Sequence, residues 1–369
     1  MTSSAVSNQT APLSVAHVND SLVVGGSEKL TATLCRQQRS RRHIVSVHCL
    51  FSIGPIGEQL QAEGFDVALH RSSSALGLMR NLYHAFKSAR PDVVHCHNTT
   101  AAVIGALPAR LAGVKTIVVT RHSLVKPPYE LKSELRFAVA SRFCDWIVGV
   151  CDSTRRNLLA APLASREKIV HVYNGTPPAN AEAAPKVKSG FTLLHVGRLV
   201  PEKDQATMLR AVAIARKTIP DLRLWMVGDG PLGPDLRALS ESLGLANCVT
   251  FFGEQTDVSS FLVSADLFVM SSISEGLPIS LLEAMSAGLP AVVTDVGGMG
   301  EIGHLSTGVM LTRPSDPQAM ANALCQATIR SRAFPQIRQS ASRCYEQNFT
   351  PEAMYESYMR LYTRCSSHS

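Results

Sequence analysis

The sequence predicts an α/β protein made of two parallel-sheet domains that face one another across a cleft. Short apolar strands alternate with helical segments along most of the 369 residues, and this alternation favours parallel sheets covered by helices on both faces. The alternation is broken once, at 177–189, where prolines stand among small and charged residues with little to bury. A chain of this length exceeds one ordinary core, so we expect two domains joined by this linker.

The amino-terminal domain, predicted at 13–176, contains the first alternating series. Its strands are predicted at 13–18, 43–49, 65–69, 91–97, 114–120, 145–150 and 169–173. Its helices are predicted at 29–36, 57–64, 76–89, 100–112, 133–142 and 152–159. Residues 1–12 are polar and lack a basic start followed by an apolar segment, so we expect a disordered tail and not a signal peptide.

The carboxyl-terminal domain, predicted at 190–345, repeats the pattern. Its strands are predicted at 191–196, 222–227, 249–252, 265–270 and 291–294. Helices are predicted at 205–218, 235–243, 257–264 and 317–330, with another whose first turn contains Pro278 and which ends before Gly288. The last segment, 346–369, holds an amphipathic helix whose apolar stripe we expect to cross back to the amino-terminal domain. Two Rossmann-like domains facing across a cleft are the architecture that this pattern specifies.

Composition limits the classes of partner. The net charge of +7 permits nucleic acid, anionic lipid or anionic small molecules, but only 6% of residues are aromatic and no basic–aromatic ladder occurs, which argues against nucleic acid. An anionic membrane surface suits the spare charge, and solubility alone explains it equally well. No apolar run reaches membrane-spanning length. Nine cysteines without a C-x-x-C pair indicate free thiols in a reducing compartment, so we expect a cytoplasmic protein, peripheral on the inner face of the membrane.

One stretch, 271–298, carries the strongest chemical signal. Glu275 lies on a predicted strand-to-helix loop and Glu283 inside the helix that follows. Such a loop directs backbone N–H groups and the positive end of a helix into a crevice, with one carboxylate at the mouth and another behind it. This arrangement suits an anion flanked by hydroxyls, as a sugar nucleotide presents. The alternative is a plain strand–helix unit with two solvated glutamates.

Two other loops follow the first strand of each domain. Arg198 and Lys203 come after the first strand of the carboxyl-terminal domain, at the edge where open α/β sheets bind ligands. A guanidinium fork and an ammonium group can together hold a diphosphate, although two surface cations on a loop would look the same. Gly25 and Gly26 follow the first strand of the amino-terminal domain, where they allow backbone to approach a ligand.

The order of these motifs resembles a known family. G-R-L-x-x-E-K-D, V-G-D-G-P, F-F-G-E and S-E-G-L-P-x-x-L-L-E-A-M-x-A-G, followed by a G-G-x-x-E segment, occur in sequence between Gly197 and Glu301. This series is similar to the nucleotide-sugar domain of family-four retaining glycosyltransferases of the GT-B fold, of the bacterial exopolysaccharide and lipid-linked glycan type. The amino-terminal half matches more loosely, through V-G-G-S-E, V-H-C-H, T-R-H-S and Y-N-G.

The resemblance implies roles for the donor-binding residues. Arg198 and Lys203 would bind the donor diphosphate, and Gly25 and Gly26 would bring backbone to it from the opposite domain. The donor would be a UDP- or GDP-linked sugar, and no other cofactor is implied.

The E-x7-E pair takes the sugar and ribose. Glu275, with Gly276 beside it, would contact the donor sugar and serve as a catalytic residue, and Glu283 would bind the ribose hydroxyls. The glycine loop 297–301 either shapes this donor pocket or is a packing turn.

The resemblance also assigns residues to the amino-terminal side of the cleft. His97 matches the histidine near the transferred sugar and is the second catalytic candidate, whereas Arg121 and His122 would face the acceptor, a glycan or lipid-linked precursor. His95 and His97 lie on one strand, and we expect that only one of them faces the cleft. We assign that place to His97 and expect His95 to be structural.

The implied reaction retains the anomeric configuration and needs no metal. No D-x-D pair, which holds a cation in metal-dependent transferases, occurs in the sequence. Arg198, Lys203 and the helix N-terminus would stabilise the charge on the leaving diphosphate instead. No sequence feature indicates a covalent carboxylate nucleophile, and the acceptor would attack from the face that the phosphate leaves.

Three alternatives stay open on the sequence alone. A sugar-nucleotide epimerase could use the same two-domain frame, and its product would be a free isomerised sugar. A protein that binds nucleotide sugars without catalysis is disfavoured by the intact cationic and acidic residues. A dinucleotide-dependent oxidoreductase is disfavoured because neither domain has G-x-G-x-x-G after its first strand.

Overall fold

The structure is a computed structural model that describes residues 11–124, 131–160, 166–179, 190–334 and 336–364. It confirms the α/β class, with two parallel sheets covered by helices. Residues 1–10 of the predicted tail, 180–189 of the predicted linker and Cys365 lie outside the described residues. The eight cysteines within the described ranges are free, and seven of them are buried.

The amino-terminal half folds around a seven-stranded parallel sheet with the order β3-β2-β1-β4-β5-β6-β7. The strands are β1 (Ser14–Ser21), β2 (Ile44–Ser52), β3 (Asp66–Leu69), β4 (Val93–His97), β5 (Thr116–Arg121), β6 (Trp146–Gly149) and β7 (Ile169–His171). The helices are α1 (Gly26–Ser40), α2 (Gly54–Ala62), α3 (Ala75–Ala89), α4 (Asn98–Ala112), α5 (Leu131–Ser141) and α6 (Asp152–Ala160).

The carboxyl-terminal half folds around a six-stranded parallel sheet with the order β10-β9-β8-β11-β12-β13. The strands are β8 (Phe191–Val196), β9 (Leu222–Val227), β10 (Val249–Gly253), β11 (Leu267–Met270), β12 (Ala291–Thr294) and β13 (Val309–Thr312). The helices are α7 (Gln205–Ala215), α8 (Gly233–Ser242), α9 (Ser259–Ser264), α10 (Ile279–Ser286), α11 (Gly297–Leu305), α12 (Pro317–Ala333), α13 (Gln336–Asn348) and α14 (Pro351–Thr363).

The strand order reverses once in each sheet, and these two reversals position the site. In the amino-terminal sheet β1 lies between β2 and β4, and in the carboxyl-terminal sheet β8 lies between β9 and β11. The chain leaves neighbouring strands in opposite directions at such a point, so a crevice opens outside their carboxyl ends. The loops that follow β1, β4, β8 and β11 therefore meet across the gap between the sheets.

The last helix crosses back to the first domain, as the apolar stripe predicts. The hydroxyl of Tyr355 lies 2.7 Å from His43 Nε2, and that of Tyr358 lies 2.9 Å from Thr120 Oγ1. The same helix buries Met354, Leu361 and Tyr362. Helix α14 thus completes the packing of the amino-terminal sheet although it is the last element in the chain.

Three elements differ from the sequence prediction. The segment 297–301, expected as a glycine loop, is the first part of α11, and its side chains Met299 and Ile302 are fully buried. Packing on the sheet therefore outweighs the low helix propensity of its glycines. Strand β13 and helix α13 were not predicted. Helix α13 has a polar sequence with few buried side chains, so its periodicity is weak.

Among the described helices, none combines the length and apolar character needed to cross a membrane.

Candidate active site

A cleft of about 1060 Å³ lies between the two sheets, and both halves of the chain line it. Its walls come from the loops at the carboxyl ends of the strands on either side of the two reversals. Of the residues predicted for the site, those lining the cleft are Gly25, Gly26, Arg121, His122, Arg198, Lys203, Glu275, Gly276 and Glu283. Residues 80 or more positions apart in sequence are brought together here, as parallel-sheet topology requires.

The carboxyl-terminal wall is built from two loops that hydrogen-bond to each other. The Lys203 ammonium forms an ion pair with the Glu275 carboxylate, which also accepts a 2.7 Å hydrogen bond from Ser272 Oγ. The Ser271 hydroxyl donates to the Lys203 carbonyl at 2.8 Å. Both charged side chains are largely buried, so a partner for each is needed to offset the loss of hydration. The ion pair fixes the two motif loops in one geometry.

Arg198 is the exposed cation of this wall. It lies on the loop after β8, and its backbone carbonyl accepts a 2.8 Å hydrogen bond from the buried Gln205 amide. Within the described residues, its guanidinium has no ion pair. A fixed backbone with an unpaired guanidinium suits an incoming anion, because no internal ion pair has to be broken first.

Glu283 projects from α10 toward the opposite domain. Its carboxylate lies 3.9 Å from the ammonium of Lys29, which belongs to α1. Burial raises the pKa of Glu283 above its usual value, and the nearby Lys29 charge opposes that rise. The pair spans the cleft, so Lys29 is a cleft residue that the sequence analysis did not identify.

Glycines allow the two domains to approach closely. A Cβ on Gly276 would lie 2.5 Å from the His122 carbonyl oxygen, and one on Gly26 would lie 3.5 Å from the side chain of Ile279. Gly297 has φ +54°, and a Cβ there would overlap the Glu275 carbonyl. Gly276 and Gly297 are therefore required by these close backbone contacts, whereas a Cβ on Gly26 would make an ordinary contact.

The amino-terminal wall presents His122, with His97 behind it. His97 is buried, does not line the cleft, and its Nδ1 lies 3.2 Å from His122 Nε2. We expected one of His95 and His97 to face the cleft and assigned that place to His97. This expectation is wrong, because neither residue lines the cleft. Their rings stack at 4.2 Å on one side of the sheet. Residues two apart on a strand share a face. In this structure His97 meets the cleft through His122. Its direct catalytic role, which the resemblance implies, stays a prediction.

Arg121 lines the cleft but is held by neighbouring side chains. Its guanidinium contacts Glu134 at 3.2 Å and lies 4.6 Å above the Phe137 ring. Nη1 is buried without a hydrogen-bond partner in the described part of the chain. Arg121 thus keeps one unused donor, and its role on the acceptor side stays a prediction.

Asp20 is a site residue that the sequence analysis missed. It lies near the end of β1, lines the cleft, and its Oδ1 is buried with no partner among the described residues. Burial raises the pKa of this carboxyl to about 6, while hydrogen bonds from Thr100 and Ala101 lower it in part. A carboxylate with a pKa near neutrality in a cleft is typical of functional sites. The sequence feature that could have identified Asp20 is its position near the end of the first strand.

The segment 297–301 supports the site from behind and does not line it. The Gly298 N–H donates to the Gly276 carbonyl at 2.7 Å, and the Glu301 carboxylate accepts hydrogen bonds from the backbone N–H groups of Asp152 and Ser153. Tyr173 also donates to Glu301 at 3.2 Å. Glu301 therefore caps the N-terminus of α6 in the opposite half of the chain. The packing interpretation of this segment is the one that fits.

A two-sheet frame of this kind, with a cationic loop, an E-x7-E pair and an opposing glycine turn around one cleft, is the arrangement that the resemblance to glycosyltransferases of the GT-B class implies. Residues 24–180 match the family model described as Glycosyltransferase Family 4, and residues 190–328 match the one described as Glycosyl transferases group 1. Together the two models cover most of the chain.

Relatives and solved structures agree with these matches. The UDP-Gal:alpha-D-GlcNAc-diphosphoundecaprenol alpha-1,3-galactosyltransferase of Escherichia coli is 26% identical over 86% of this chain and 88% of its own length. The lipopolysaccharide core biosynthesis glycosyltransferase LpsD of Rhizobium meliloti is 29% identical over 51% of this chain and 54% of its own. The crystal structure of Anabaena Alr3699/HepE in complex with UDP superposes with a TM-score of 0.84 at 21% identity, over 94% of this chain and 99% of that one.

The chain belongs to the family-four glycosyltransferases of the GT-B fold, and it is a glycosyltransferase of glycan biosynthesis.

Proposed function

We propose that the protein transfers a sugar from a nucleoside-diphosphate donor to a glycan or lipid-linked acceptor, with retention of configuration and without a metal ion. The observation that carries this proposal is the composition of one cleft. Arg198, Lys203, Glu275 and Glu283 line one side of it, and Gly26 with its neighbours lines the other. Cations for a diphosphate and carboxylates for hydroxyls are thus present within a single space.

A UDP-linked sugar is the donor that we put first. The Escherichia coli relative carries UDP-Gal in its name, and Alr3699/HepE was solved in complex with UDP and with UDP-glucose. A GDP-linked sugar is the second candidate. In either case the unpaired Arg198 guanidinium would meet the diphosphate first, and Glu283 would accept hydrogen bonds from the ribose.

Metal independence is supported by the cations of the cleft. The leaving diphosphate gains negative charge as the glycosidic bond breaks, and fixed positive groups lower the energy of that state. Arg198 and Lys203 supply two such groups beside the N-terminus of α10, and the sequence contains no D-x-D pair. We therefore assign to these cations the task that a divalent cation performs in other transferases.

Retention is proposed from the family resemblance, and the environment of Glu275 bears on the route by which it would occur. A double-displacement reaction needs a carboxylate free to form a covalent intermediate. Glu275 is already engaged by Lys203 and by the Ser272 hydroxyl, which suits it to hold the donor sugar and not to attack it. The acceptor hydroxyl would then attack on the face that the phosphate leaves, with Asp20, Arg121 and His122 on the acceptor side.

A membrane-bound acceptor fits the surface of helix α5. Leu135 and Val139 are 53% and 52% exposed on one face, and Lys132 and Arg136 are exposed on the same helix. The helix contacts Arg121 in the cleft through Glu134 and Phe137. An apolar strip bordered by lysine and arginine suits the surface of an anionic bilayer, so a lipid-linked acceptor could enter directly from it.

Product analysis tests the reaction. The full-length protein is incubated with UDP- and GDP-sugars and a lipid-diphosphate-linked monosaccharide, with and without EDTA, and the new linkage is assigned by NMR. We expect transfer with the donor's anomeric configuration and an equal rate in EDTA. An inverted linkage would contradict retention, and a rate abolished by EDTA and restored by Mg²⁺ would contradict metal independence. An isomerised free sugar nucleotide without transfer would point to the epimerase alternative.

A further inference from the structure

Behind the cleft, histidine rings form a continuous hydrogen-bonded chain inside the amino-terminal domain. It starts at Gln38 of α1, whose side-chain oxygen lies 2.8 Å from His17 Nε2. His17 Nδ1 lies 3.0 Å from His97 Nε2, and His97 Nδ1 lies 3.2 Å from His122 Nε2. The chain ends at His122 Nδ1, which is buried and has no hydrogen-bond partner among the described residues. His122 itself lines the cleft, so a ligand bound there would lie beside this last nitrogen.

A second branch leaves Gln38 in the other direction. Its side-chain nitrogen lies 3.5 Å from the Tyr362 hydroxyl, which lies 2.7 Å from His95 Nδ1. His95 Nε2 then lies 2.8 Å from Thr120 Oγ1. Because an amide has one accepting oxygen and one donating nitrogen, it assigns opposite roles to the first members of the two branches.

The amide orientation fixes the proton positions along the first branch. In the orientation that the structure gives the Gln38 amide, its oxygen accepts from His17, which then carries its proton on Nε2 and presents a lone pair on Nδ1. His97 must then donate from Nε2 into that lone pair, and His122 must donate from Nε2 into the lone pair on His97 Nδ1. The result is a bare lone pair on His122 Nδ1, so this nitrogen can accept a proton and cannot donate one.

This argument requires that each ring carries a single proton. Burial lowers the pKa of His17 and of His122 to about 4, and it lowers the pKa of His97 well below the usual value. All three imidazoles are therefore neutral at physiological pH, and each has one donating and one accepting nitrogen.

A metal site is the competing explanation for this cluster. His17, His95 and His97 each offer a ligand atom, and these atoms lie within 4.8 Å of one another. However, all six ring nitrogens already have partners: Gln38, Tyr362, Thr120, His122, or one another. A metal ion would have to break several of these buried hydrogen bonds, so the hydrogen-bonded chain is the better account.

We propose that Gln38 is a positioning residue which, through His17 and His97, holds His122 in the tautomer that accepts a hydrogen bond from a sugar hydroxyl in the cleft. The inference deepens the proposed function and rests on it for the identity of the ligand. The tautomer itself is a property of the ligand-free protein. The site thus selects a hydroxyl donor over groups that can only accept, such as a carboxylate or phosphate oxygen, at this position.

The test is to read the tautomers directly. In ¹⁵N-labelled full-length protein at pH 7, long-range ¹H–¹⁵N spectra separate protonated from unprotonated ring nitrogens, and a His122→Gln variant assigns the signals. We expect Nε2–H and a bare Nδ1 on His122. A proton on Nδ1, or a doubly protonated ring, would overturn the proposal whether or not the protein transfers sugar, so its failure is distinct from failure of the proposed function.

A variant tests the role of Gln38. Gln38→Met keeps the length of the side chain but removes both hydrogen-bonding groups, and Gln37→Met on the same helix is the matched control. We expect His122 in Gln38→Met to lose its single tautomer and kcat/KM for one sugar substrate to fall about fivefold, the loss of one hydrogen bond. An unchanged His122 tautomer in a folded Gln38→Met protein would overturn the proposal. If Gln38→Met does not fold, the wild-type spectrum still decides it.

Discussion

The two walls of the cleft hold their polar groups in different ways. On the carboxyl-terminal wall, the Glu275 carboxylate is matched by Lys203 and by a hydroxyl. On the amino-terminal wall, Asp20 keeps a buried oxygen without a described partner, and His122 keeps a buried nitrogen in the same state. On the carboxyl-terminal wall, the buried charges of Lys203 and Glu275 are paired with each other, and Arg198 adds an unpaired positive charge. On the amino-terminal wall, these two atoms are available to pair with a ligand.

This difference suggests how the substrates are divided. A diphosphate carries its own charge and needs a cation whose position is already fixed, which the first wall supplies. Sugar hydroxyls are neutral and can both donate and accept, so they pair well with unsatisfied groups in a buried environment. The unsatisfied groups cost stability in the free protein, and that cost is recovered when a hydroxyl binds. Four experiments can sharpen this comparison or contradict it.

The largest effect is expected at Arg198. Arg198→Ala removes the unpaired cation of the donor wall without breaking an ion pair, so we expect the folded protein to lose about 10²- to 10³-fold in kcat/KM. Thermal stabilisation by UDP should disappear as well. Arg210→Ala, which removes an exposed cation of α7, is the control and should leave both quantities unchanged. Equal UDP affinity in wild type and Arg198→Ala would refute the phosphate assignment.

Acid should destabilise the protein through its neutral imidazoles. Burial lowers the pKa of His17 from 6.5 to about 4, so between these values the unfolded chain binds more protons than the folded one. Stability is therefore present in full above pH 6.5 and is lost as the pH falls toward 4, by about 3 kcal/mol for one such group. Urea unfolding at pH 7.5, 6 and 5 measures this slope. A His17→Gln variant should show a shallower slope, and an equal slope would contradict the assignment.

Opposite signs are expected for the two wall carboxylates. The pKa of Asp20 is raised to about 6, so its ionised form destabilises the fold above pH 6, and Asp20→Asn should raise the free energy of unfolding at pH 8 by about 1–2 kcal/mol. Glu275→Gln should lower it by about 1–2 kcal/mol, because Lys203 would be left without its partner. Both variants should lose activity. Changes of the same sign in stability would remove the distinction between the walls.

The smallest effect concerns one of the contacts between the two halves, that of Glu301 with α6. Glu301→Gln keeps the shape of the side chain but removes the charge that caps α6, and we expect a loss of about 1 kcal/mol in stability with kcat/KM reduced no more than about fivefold. Glu241→Gln, on the carboxyl-terminal half of α8, is the control. Loss of all activity in Glu301→Gln would mean that this residue belongs to the site itself.

The sequence predicted which residues form the carboxyl-terminal wall, for physical reasons. The segment from Glu275 to Glu283 is local, and its loop, helix start and two acids follow from residues within nine positions of each other. Arg198 and Lys203 were placed by their position after a strand, and parallel-sheet topology brought them to the same edge as Glu275. Where both the motif and the topology are regular, the sequence is sufficient.

The amino-terminal side was harder because its groups depend on distant contacts. Three features of this side depend on contacts between elements that are distant in sequence. They are the position of His97 behind His122, the Asp20 oxygen without a partner among the described residues, and the pairing of Lys29 with Glu283. Helix α11 was missed because its glycines oppose helix formation in isolation, and only packing of Met299 and Ile302 overcomes this. No local periodicity encodes such contacts.

Because α14 packs against the amino-terminal domain, that domain can fold completely only after the end of the chain has been synthesised. Tyr355, Tyr358 and Tyr362 supply partners to polar groups inside a domain whose own strands end at His171. During synthesis the first domain leaves the ribosome long before these tyrosines are made. Its histidines His43 and His95 therefore lack their tyrosine partners until the last helix, of thirteen residues, is complete. Loss of α14 would therefore destabilise the amino-terminal domain. A protein shortened by a late stop codon should have an incompletely packed first domain that is sensitive to proteolysis.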